Sequence, residues 1–273
     1  MNLEGPMDLK GRVAVVTGAG GGIGRAAALS LARRGCHLAL ADIDDAGLAQ
    51  TQALATGVRA SSHRLDVANR EAVAAMPARV LEAHGRVDLL VNNAGVALVG
   101  TFDQVSEADF DWLFEINFHG VVRMTRAFLP LLRASDDARI VNISSVFGLI
   151  SPPGQCAYSA SKFAVRGFSS ALRHELDGTS VGVSVVHPGG VATSIARNAR
   201  VPQNVPADEM RRRLGLAEKL LRMPPERAGE VIVRGVEKRR ARILVGRDAL
   251  IIALTERLAP VNYWRILGRS VPS

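Results

Sequence analysis

Cysteine, aromatic residues and long apolar runs are all scarce in this chain of 273 residues. The two cysteines, Cys36 and Cys156, lie far apart, which excludes a disulfide scaffold and a cysteine-rich zinc module. The six histidines show no metal-ligand spacing, so we expect no metal site. No apolar run reaches the roughly 18 residues of a membrane span. The first ten residues lack the basic and apolar segments of a secretory signal, so we expect a cytoplasmic location.

An excess of positive charge is missing from most of the chain, although its net charge is +8. Residues 1–194 hold 17 lysines and arginines against 18 acidic residues, whereas residues 195–273 hold 17 against 8. Such a basic region is compatible with a nucleic-acid or anionic membrane surface, or with a solvated, arginine-rich helical face. We favour the solvated face. No nucleic-acid partner is expected, because no nucleic-acid-binding motif is present there.

The sequence does contain a regular alternation of short apolar runs and longer amphipathic stretches. Strands are predicted at residues 12–17, 37–41, 58–65, 88–91, 140–143, 181–187 and 242–245. Helices are predicted at residues 22–34, 44–55, 69–84, 106–133, 157–176 and 226–239, with an arginine-rich helix after residue 207. This alternation indicates an α/β fold with a doubly wound, Rossmann-type parallel sheet of seven strands and helices on both faces. We expect one domain over 9–246, a substrate lid at about 194–222 and a helical extension over 247–273.

The first predicted strand leads into a glycine-rich turn, TGAGGGIG over residues 17–24. Gly18 permits a tight turn, Gly22 lets the backbone approach a pyrophosphate, and Gly24 lets the next helix pack closely on the strand. The N–H groups at the start of that helix then face the phosphates. A flexible glycine loop is the alternative, but the position between a strand and a helix favours a dinucleotide site.

The second predicted strand ends at an acidic residue, Asp42, which follows Gly18 by 24 positions. A carboxylate there accepts hydrogen bonds from ribose hydroxyls and repels a 2′-phosphate, which favours NAD over NADP. The alternative is that Asp42 caps the next helix, although Asp44 and Asp45 are better placed to do so.

Tyr158 and Lys162 lie four residues apart in a predicted helix and therefore share a face. A free tyrosine has a pKa near ~10, and a nearby ammonium lowers the pKa toward that of a useful base. Ser145 closes the fifth strand, 13 residues before Tyr158, and its hydroxyl can donate to a substrate oxygen. That interval selects Ser145 over the adjacent Ser144. The alternative is a chance Tyr–Lys pair on a helix surface.

Together these motifs make the chain resemble the short-chain dehydrogenase/reductase (SDR) family over about residues 9–245. The matching segments are the turn at 17–24, Asn92-Asn93-Ala94-Gly95, Asn117, Ser145, Tyr158-Ser159-Ala160-Ser161-Lys162 and Pro188-Gly189-Gly190-Val191-Ala192-Thr193, with Asp66-Val67 as an adenine-contacting pair. The resemblance implies that Tyr158 is the general acid/base, that Lys162 lowers its pKa and holds a ribose, and that Ser145 polarises the substrate oxygen. Asn117 would hold a water that links Lys162 to solvent.

The glycine turn, Asp42 and the resemblance together define a set of expected cofactor-binding residues. They are Thr17, Gly18, Gly22, Ile23, Gly24, Asp42, Asp66, Val67, Asn93, Ala94, Gly95, Tyr158, Lys162, Pro188, Gly189, Val191 and Thr193. The family commonly assembles as dimers and tetramers, so a homodimer or homotetramer is expected. His187 is interpreted as a packed strand-end histidine.

Two of the three segments expected around the substrate, residues 96–102 (VALVGTF) and 146–156 (VFGLISPPGQC), are mostly apolar and carry no acid or base. They predict an uncharged, hydrophobic alcohol or ketone. The third segment, residues 195–221, is rich in arginine. It either binds an acidic group of a carrier or acyl substrate or forms a solvated lid, which we favour.

The sequence therefore predicts an NAD-dependent dehydrogenase of a hydrophobic secondary alcohol, or the reverse ketone reduction. An NADPH-dependent carbonyl or 3-oxoacyl reductase is the alternative enzyme, and a non-catalytic dinucleotide-binding protein is the alternative of another class. The extension carries an apolar stripe at Leu250, Ile251, Leu254 and Leu258. That stripe packs against protein, which we favour, or makes a weak contact with a membrane surface.

Overall fold

A single parallel sheet of seven strands forms the centre of the computed structural model, which describes residues 5–202, 205, 211, 215 and 219–268. In chain order the strands are β1 (Val13–Thr17), β2 (His37–Asp42), β3 (Ala60–Arg64), β4 (Leu89–Asn92), β5 (Ala138–Ile143), β6 (Val181–Pro188) and β7 (Arg242–Val245). They lie side by side in the order β3-β2-β1-β4-β5-β6-β7. The predicted doubly wound, seven-stranded parallel sheet is confirmed.

Helices cover both faces of the sheet. They are α1 (Gly22–Ala32), α2 (Asp45–Leu54), α3 (Arg70–His84), α4 (Glu107–Phe114), α5 (Gly120–Ala134), α6 (Cys156–Glu175), α7 (Pro225–Glu237), α8 (Arg247–Leu258) and α9 (Tyr263–Leu267). On one face α1 packs against α7, and on the other α3 packs against α5. Because β1 pairs with both β2 and β4, the winding direction changes between β1 and β4. Ligands bind in open α/β sheets at the carboxyl edge of such a point.

The central strands are buried on both faces, which explains their apolar sequences. Every residue of β1, β4 and β5 is buried. Parallel strands covered on both sides are typically continuous apolar runs. Met76 and Phe128 belong to the apolar cluster on one face, and Leu31 and Ile232 to that on the other. Full burial of one such side chain contributes about 1.5–3 kcal/mol to stability.

The long helical region predicted over residues 106–133 is present, but a π-helical turn divides it into two α-helices. The turn comprises Glu115–His119 and separates α4 from α5. It contains Asn117, whose buried amide is hydrogen-bonded to the backbone of Val96 in the preceding loop. A π turn is rare and often occurs at functional sites. The pattern of apolar residues does not reveal the π turn, because one extra residue changes the phase of the buried face at a single point and leaves the periodicity on either side unchanged.

Other boundaries differ from the prediction by a few residues. The third strand is shorter than the predicted 58–65, because its pairing with β2 begins at Ala60. The arginine-rich helix expected after residue 207 and much of the expected lid lie outside the described residues. Within the described residues, no helix is both long and apolar enough to cross a bilayer.

Candidate active site

The glycine turn connects β1 to α1 at the carboxyl edge of the sheet, and its geometry requires glycine. Gly18 and Gly22 have φ of +65° and +52°, a region that disfavours side chains. A Cβ on Gly24 would lie 2.0 Å from the carbonyl oxygen of Gly18, so only glycine lets α1 start this close to the strand. The predicted strand–turn–helix arrangement is therefore present, with Ile23 packed at its edge.

Side chains after β4 hold this turn in place. The Thr17 hydroxyl accepts hydrogen bonds from the backbone N–H groups of Asn93 and Ala94, at 2.9 and 3.0 Å. The Asn93 amide donates to the carbonyl oxygens of Thr17 and Gly18, at 3.0 and 3.1 Å. The ends of β1 and β4 are thus joined by four hydrogen bonds. Thr17, Gly18, Asn93 and Ala94 of the predicted set therefore lie together.

Asp42 lies at the end of β2 and faces the turn. One of its carboxylate oxygens accepts from the Gly20 N–H at 2.8 Å, and the other accepts from the Asp44 N–H at 3.1 Å. The helix cap of α2 is Asp44, which leaves Asp42 free of that role.

The two arginines nearest to Asp42 are already engaged. Arg25 donates to the Gly20 carbonyl and, at 2.9 Å, to the Thr51 hydroxyl. Arg64 is paired in register with Asp42 on β3, and its guanidinium forms an ion pair with Asp45.

The other expected cofactor residues border the same edge. Val67 is buried, and the Asp66 carboxylate accepts from the Ala68 N–H at 2.9 Å. Pro188 ends β6, and the segment after it, which includes Gly189 and Val191, folds back so that the Thr193 methyl lies 3.2 Å from where a Gly22 Cβ would be. The structure therefore brings the predicted residues together from five separate strand ends.

Tyr158 and Lys162 lie on one face of α6, as predicted. Ser145 lies just after the end of β5 and faces the Tyr158 side chain. The Ser145 side chain lies close enough to the Tyr158 phenol to lower its pKa. The Lys162 ammonium lies 5.6 Å from the centroid of the Tyr158 ring and donates to the carbonyl of Ile143 at 3.3 Å. The hydroxyl of Ser144 instead donates to the Lys162 carbonyl at 2.9 Å, so it is Ser145 that faces the phenol.

Asn117 and Lys162 approach each other around Gly95. A Cβ on Gly95 would lie 3.1 Å from Oδ1 of Asn117 and 3.4 Å from Nζ of Lys162. The Asn117 amide is itself bound by chain atoms: Oδ1 accepts from the Val96 N–H, and Nδ2 donates to the Val96 carbonyl and to Ser161. The water-holding role that the resemblance implied for Asn117 stays a prediction.

Burial dominates the protonation of this cluster. It raises the pKa of Tyr158 to about 12, and the hydrogen bond from Ser145 offsets only part of that rise. It lowers the pKa of Lys162 to about 8. The lowering of the Tyr158 pKa by Lys162, which the resemblance implied, stays a prediction.

The segments expected around the substrate are joined by isolated β-bridges. Gly100 pairs with Gln155, and Leu98 pairs with Arg200. Arg200 forms an ion pair with Asp109 at 2.8 Å and stacks on Trp112 at 3.7 Å, so its charge is already matched. Beneath the bridges lies a small apolar cluster whose members are Val96, Leu98, Val105, Phe110, Trp112, Leu113, Ala157 and Tyr158.

Comparison with known proteins agrees with this geometry. Residues 12–204 match the family model described as short chain dehydrogenase. The chain belongs to the short-chain dehydrogenase family. It is 46% identical over 270 residues, 96% of each chain, to the protein named oxidoreductase SadH of Mycobacterium tuberculosis.

Two solved structures of the family are similar to this one. A short-chain dehydrogenase/reductase of Burkholderia phymatum, in complex with NAD, has a TM-score of 0.85 and 34% identity, covering 92% of this chain and 95% of that one. A metagenomic short-chain oxidoreductase, in complex with NADP, has a TM-score of 0.64 and 39% identity, covering 68% and 85%. Because the two hold different cofactors, the preference of this short-chain dehydrogenase has to be argued from its own residues.

One contact of this short-chain dehydrogenase was missed by the sequence analysis. His187 is fully buried, and its Nδ1 donates to the carbonyl oxygen of Ser145 at 2.9 Å, while Nε2 has no partner within the described residues. Burial lowers the pKa of His187 to about 4, so the ring is neutral. The position before Pro188 at a strand end was the available signal, but nothing in the sequence showed which carbonyl the ring would reach.

The C-terminal extension of the dehydrogenase contacts both loops at the site. The Asp248 carboxylate accepts from the Gly190 N–H at 2.7 Å, in the segment that follows β6. The Tyr263 hydroxyl accepts from the Ser151 N–H at 3.0 Å, in the expected substrate segment. The sequence contained no signal for these long-range contacts.

Proposed function

We propose that this short-chain dehydrogenase transfers a hydride between NAD(H) and a hydrophobic secondary alcohol or its ketone. The observation that carries the proposal is the meeting of Ser145, Tyr158 and Lys162 beside the glycine turn, under an apolar wall. The alternative is an NADPH-dependent carbonyl or 3-oxoacyl reductase, and the relative affinity for NAD and NADP distinguishes the two.

The residues at the carboxyl edge fit a nicotinamide dinucleotide. The turn leaves space where Gly18 and Gly22 lack side chains, and the start of α1 directs N–H groups toward that space. Each Asp42 oxygen has accepted one hydrogen bond and retains capacity for a ribose hydroxyl. Asp66 and Val67 would border the adenine, and Val191 and Thr193 the nicotinamide carboxamide. When bound, NAD⁺ supplies the hydride acceptor and a positive charge beside the phenol.

The preference for NAD rests on the charges around Asp42. A 2′-phosphate at this place would put like charges in contact, and the guanidinium groups of Arg25 and Arg64 already donate to other groups of the chain. Like-charge contact is a usual means of excluding the wrong ligand.

The chain's own groups can manage the proton of the reaction. In the oxidative direction the alcohol carbon loses a hydride and its hydroxyl loses a proton. Tyr158 takes that proton in its phenolate form, which the positive charges of Lys162 and of bound NAD⁺ would favour, while Ser145 donates a hydrogen bond to the same substrate oxygen. Lys162 holds the ribose and supplies positive charge near the phenol. In ketone reduction each transfer is reversed.

An apolar substrate is supported by the surroundings of Tyr158. Phe147 contacts the Tyr158 ring edge-on at 6.1 Å, and the apolar cluster below it contains Leu98 and Leu113. Arg200, the arginine of the lid segment that contacts α4, is already neutralised by Asp109. We assign residues 194–222 to the lid, 9–246 to the catalytic domain, and 247–273 to the extension.

We also propose a homodimer or homotetramer, as is general in the family, and size-exclusion chromatography with light scattering tests it. The cytoplasmic location expected from the sequence stays a prediction.

The testing experiment measures dissociation constants for NAD and NADP by calorimetry, and turnover of a panel of apolar secondary alcohols by nicotinamide absorbance. We expect NAD to bind at least about tenfold more tightly, since a charge-assisted hydrogen bond contributes roughly 1.5–3 kcal/mol. Asp42→Ala should weaken NAD and reduce the discrimination. Glu82→Ala, which removes an exposed carboxylate of α3 that forms no ion pair with a described residue, is the matched control and should preserve it. A wild-type preference for NADP would contradict the proposal and favour the NADPH-dependent reductase.

A further inference from the structure

The extension presents an unusually exposed apolar surface. Six of the twelve large apolar side chains exposed in the described structure lie between residues 250 and 266. Five of them define what is here named the apolar face: Leu250, Ile251, Leu254, Leu258 and Val261, which are 58–88% exposed. Scattered exposed apolar residues are ordinary, whereas a contiguous group indicates a contact surface.

Exposed arginines accompany the apolar face. At 100° per residue, Leu250, Ile251, Leu254 and Leu258 occupy an arc of about 100° on α8, and Arg247 lies within this arc while Arg257 lies at its edge. Arg265 follows on α9. None of the three forms an ion pair with a described residue.

The acidic groups of the extension do not cancel this charge. Residues 247–268 hold three arginines against two acidic residues, Asp248 and Glu256, so a net positive charge remains. The exposed surface is therefore apolar with a cationic border.

We propose that the apolar face docks on a membrane surface that carries anionic lipid headgroups. An amphipathic helix with arginines at its polar edge lies in such an interface with its apolar side chains inserted below the headgroups. A second copy of the chain fits less well. A two-fold interface would place two copies of this net positive surface against each other. Anionic headgroups complement this surface instead.

The apolar face lies next to the expected substrate entrance. Tyr263, which follows the face in the chain, is hydrogen-bonded to Ser151 in the substrate segment. α8 also contacts the short turn Val146–Gly148, which follows Ser145. A docked chain would thus take up an apolar alcohol beside the lipid in which such compounds concentrate. Docking itself does not depend on the proposed function, whereas this uptake rests on it.

The test is co-sedimentation of the full chain with vesicles of phosphatidylcholine alone and of phosphatidylcholine mixed with phosphatidylglycerol. We expect binding to the anionic vesicles and its weakening by salt. The double variant Leu254→Asp/Leu258→Asp should bind at least about tenfold more weakly. Leu54→Asp is the matched control, because Leu54 on α2 is 57% exposed against 59% for Leu254, and should bind as wild type does. Arg257→Glu should reduce binding to the vesicles that contain phosphatidylglycerol and should not change the result with phosphatidylcholine vesicles.

Wild-type protein that stays in the supernatant with anionic vesicles, or a double variant that still sediments, overturns the proposal. The proposal is also overturned if wild type does not bind vesicles and the double variant has a different oligomeric state in light scattering. That result would assign the apolar face to contact with a second copy of the chain. The dissociation constant for NAD should be the same in all variants, which shows that they are folded. Failure of the proposed dehydrogenase activity would appear in turnover assays and would leave the sedimentation result unaffected.

Discussion

Lys162→Met should make the protein more stable at neutral pH while removing its activity. Lys162 is only 4% exposed and lies between α6 and the end of β5, where its ammonium has lost most of its hydration. Methionine has a similar length and no charge to desolvate. The same burial that places the ammonium beside Tyr158 therefore reduces the stability of the fold.

The size of the effect follows from the pKa of Lys162, which burial lowers from 10.5 to about 8. This difference corresponds to about 3 kcal/mol, because one pH unit is about 1.4 kcal/mol. Below pH 8 Lys162 is charged in both the folded and the unfolded chain, so the folded state is destabilised by the full free energy of desolvating the ammonium. Between pH 8 and 10.5 the unfolded chain binds more protons, so stability rises with pH and the cost disappears. Loss of the hydrogen bond to Ile143 offsets about 1 kcal/mol, which leaves a net gain of about 2 kcal/mol at neutral pH.

Urea unfolding of wild type and Lys162→Met, at about pH 7 and about pH 9.5, measures this difference. The gain should be present at the lower pH and should shrink at the higher one. Lys10→Met replaces an exposed lysine and should show neither effect. A Lys162→Met protein no more stable than wild type at neutral pH, or equally stabilised at both values, would refute the argument from desolvation.

Three further substitutions probe the candidate site. Tyr158→Phe should lower turnover at least about 100-fold with little change in NAD affinity, because the phenol hydroxyl carries the proton; half-normal activity would contradict this. His187→Phe should lower turnover about tenfold in wild type but not in a Ser145→Ala background, because the imidazole holds the Ser145 backbone carbonyl and thereby positions the Ser145 hydroxyl, which that background lacks. Equal losses in both backgrounds would contradict this. Gly24→Ala should abolish NAD binding or folding, since the Cβ would lie 2.0 Å from a carbonyl oxygen, whereas Gly21→Ala meets nothing within 4 Å and should be tolerated in calorimetry and thermal unfolding.

The parts of the fold that the sequence could predict are those in which a residue's environment is determined by its neighbours in the chain. β1 and β4 are apolar runs because both faces of the sheet are covered. The turn at 17–24 could be predicted for a similar reason, since Gly18 and Gly22 adopt positive φ and Gly24 lies against the Gly18 carbonyl. Asp42 was placed correctly because the end of β2 is fixed by the length of the first βαβ unit.

Features that depend on distant segments could not be predicted. The π turn at Asn117 exists where a buried amide meets the backbone of Val96, 21 positions earlier. His187 reaches a carbonyl 42 positions away, and Tyr263 reaches the Ser151 N–H 112 positions away. The Tyr158 pKa was also beyond the sequence, because it depends on how completely the folded chain desolvates the phenol.

The two edges of the sheet treat their buried polar groups differently. At the amino edge, Asp88 is fully buried but accepts from the Val13 N–H, from Arg12 and Arg86, and from the Ser135 hydroxyl. At the carboxyl edge, the ammonium of buried Lys162 donates to one carbonyl among the described residues and lies over the face of a ring, with no carboxylate paired to it there. A satisfied buried charge costs little, whereas an unmatched one lowers stability. The carboxyl edge therefore keeps an ammonium that can donate hydrogen bonds to a bound ribose, and the ion network at the amino edge supports the strands from which that edge is built. If this reasoning holds, NAD binding should raise the thermal midpoint of wild type more than that of Lys162→Met, because only wild type has the buried ammonium that can donate to the ribose hydroxyls.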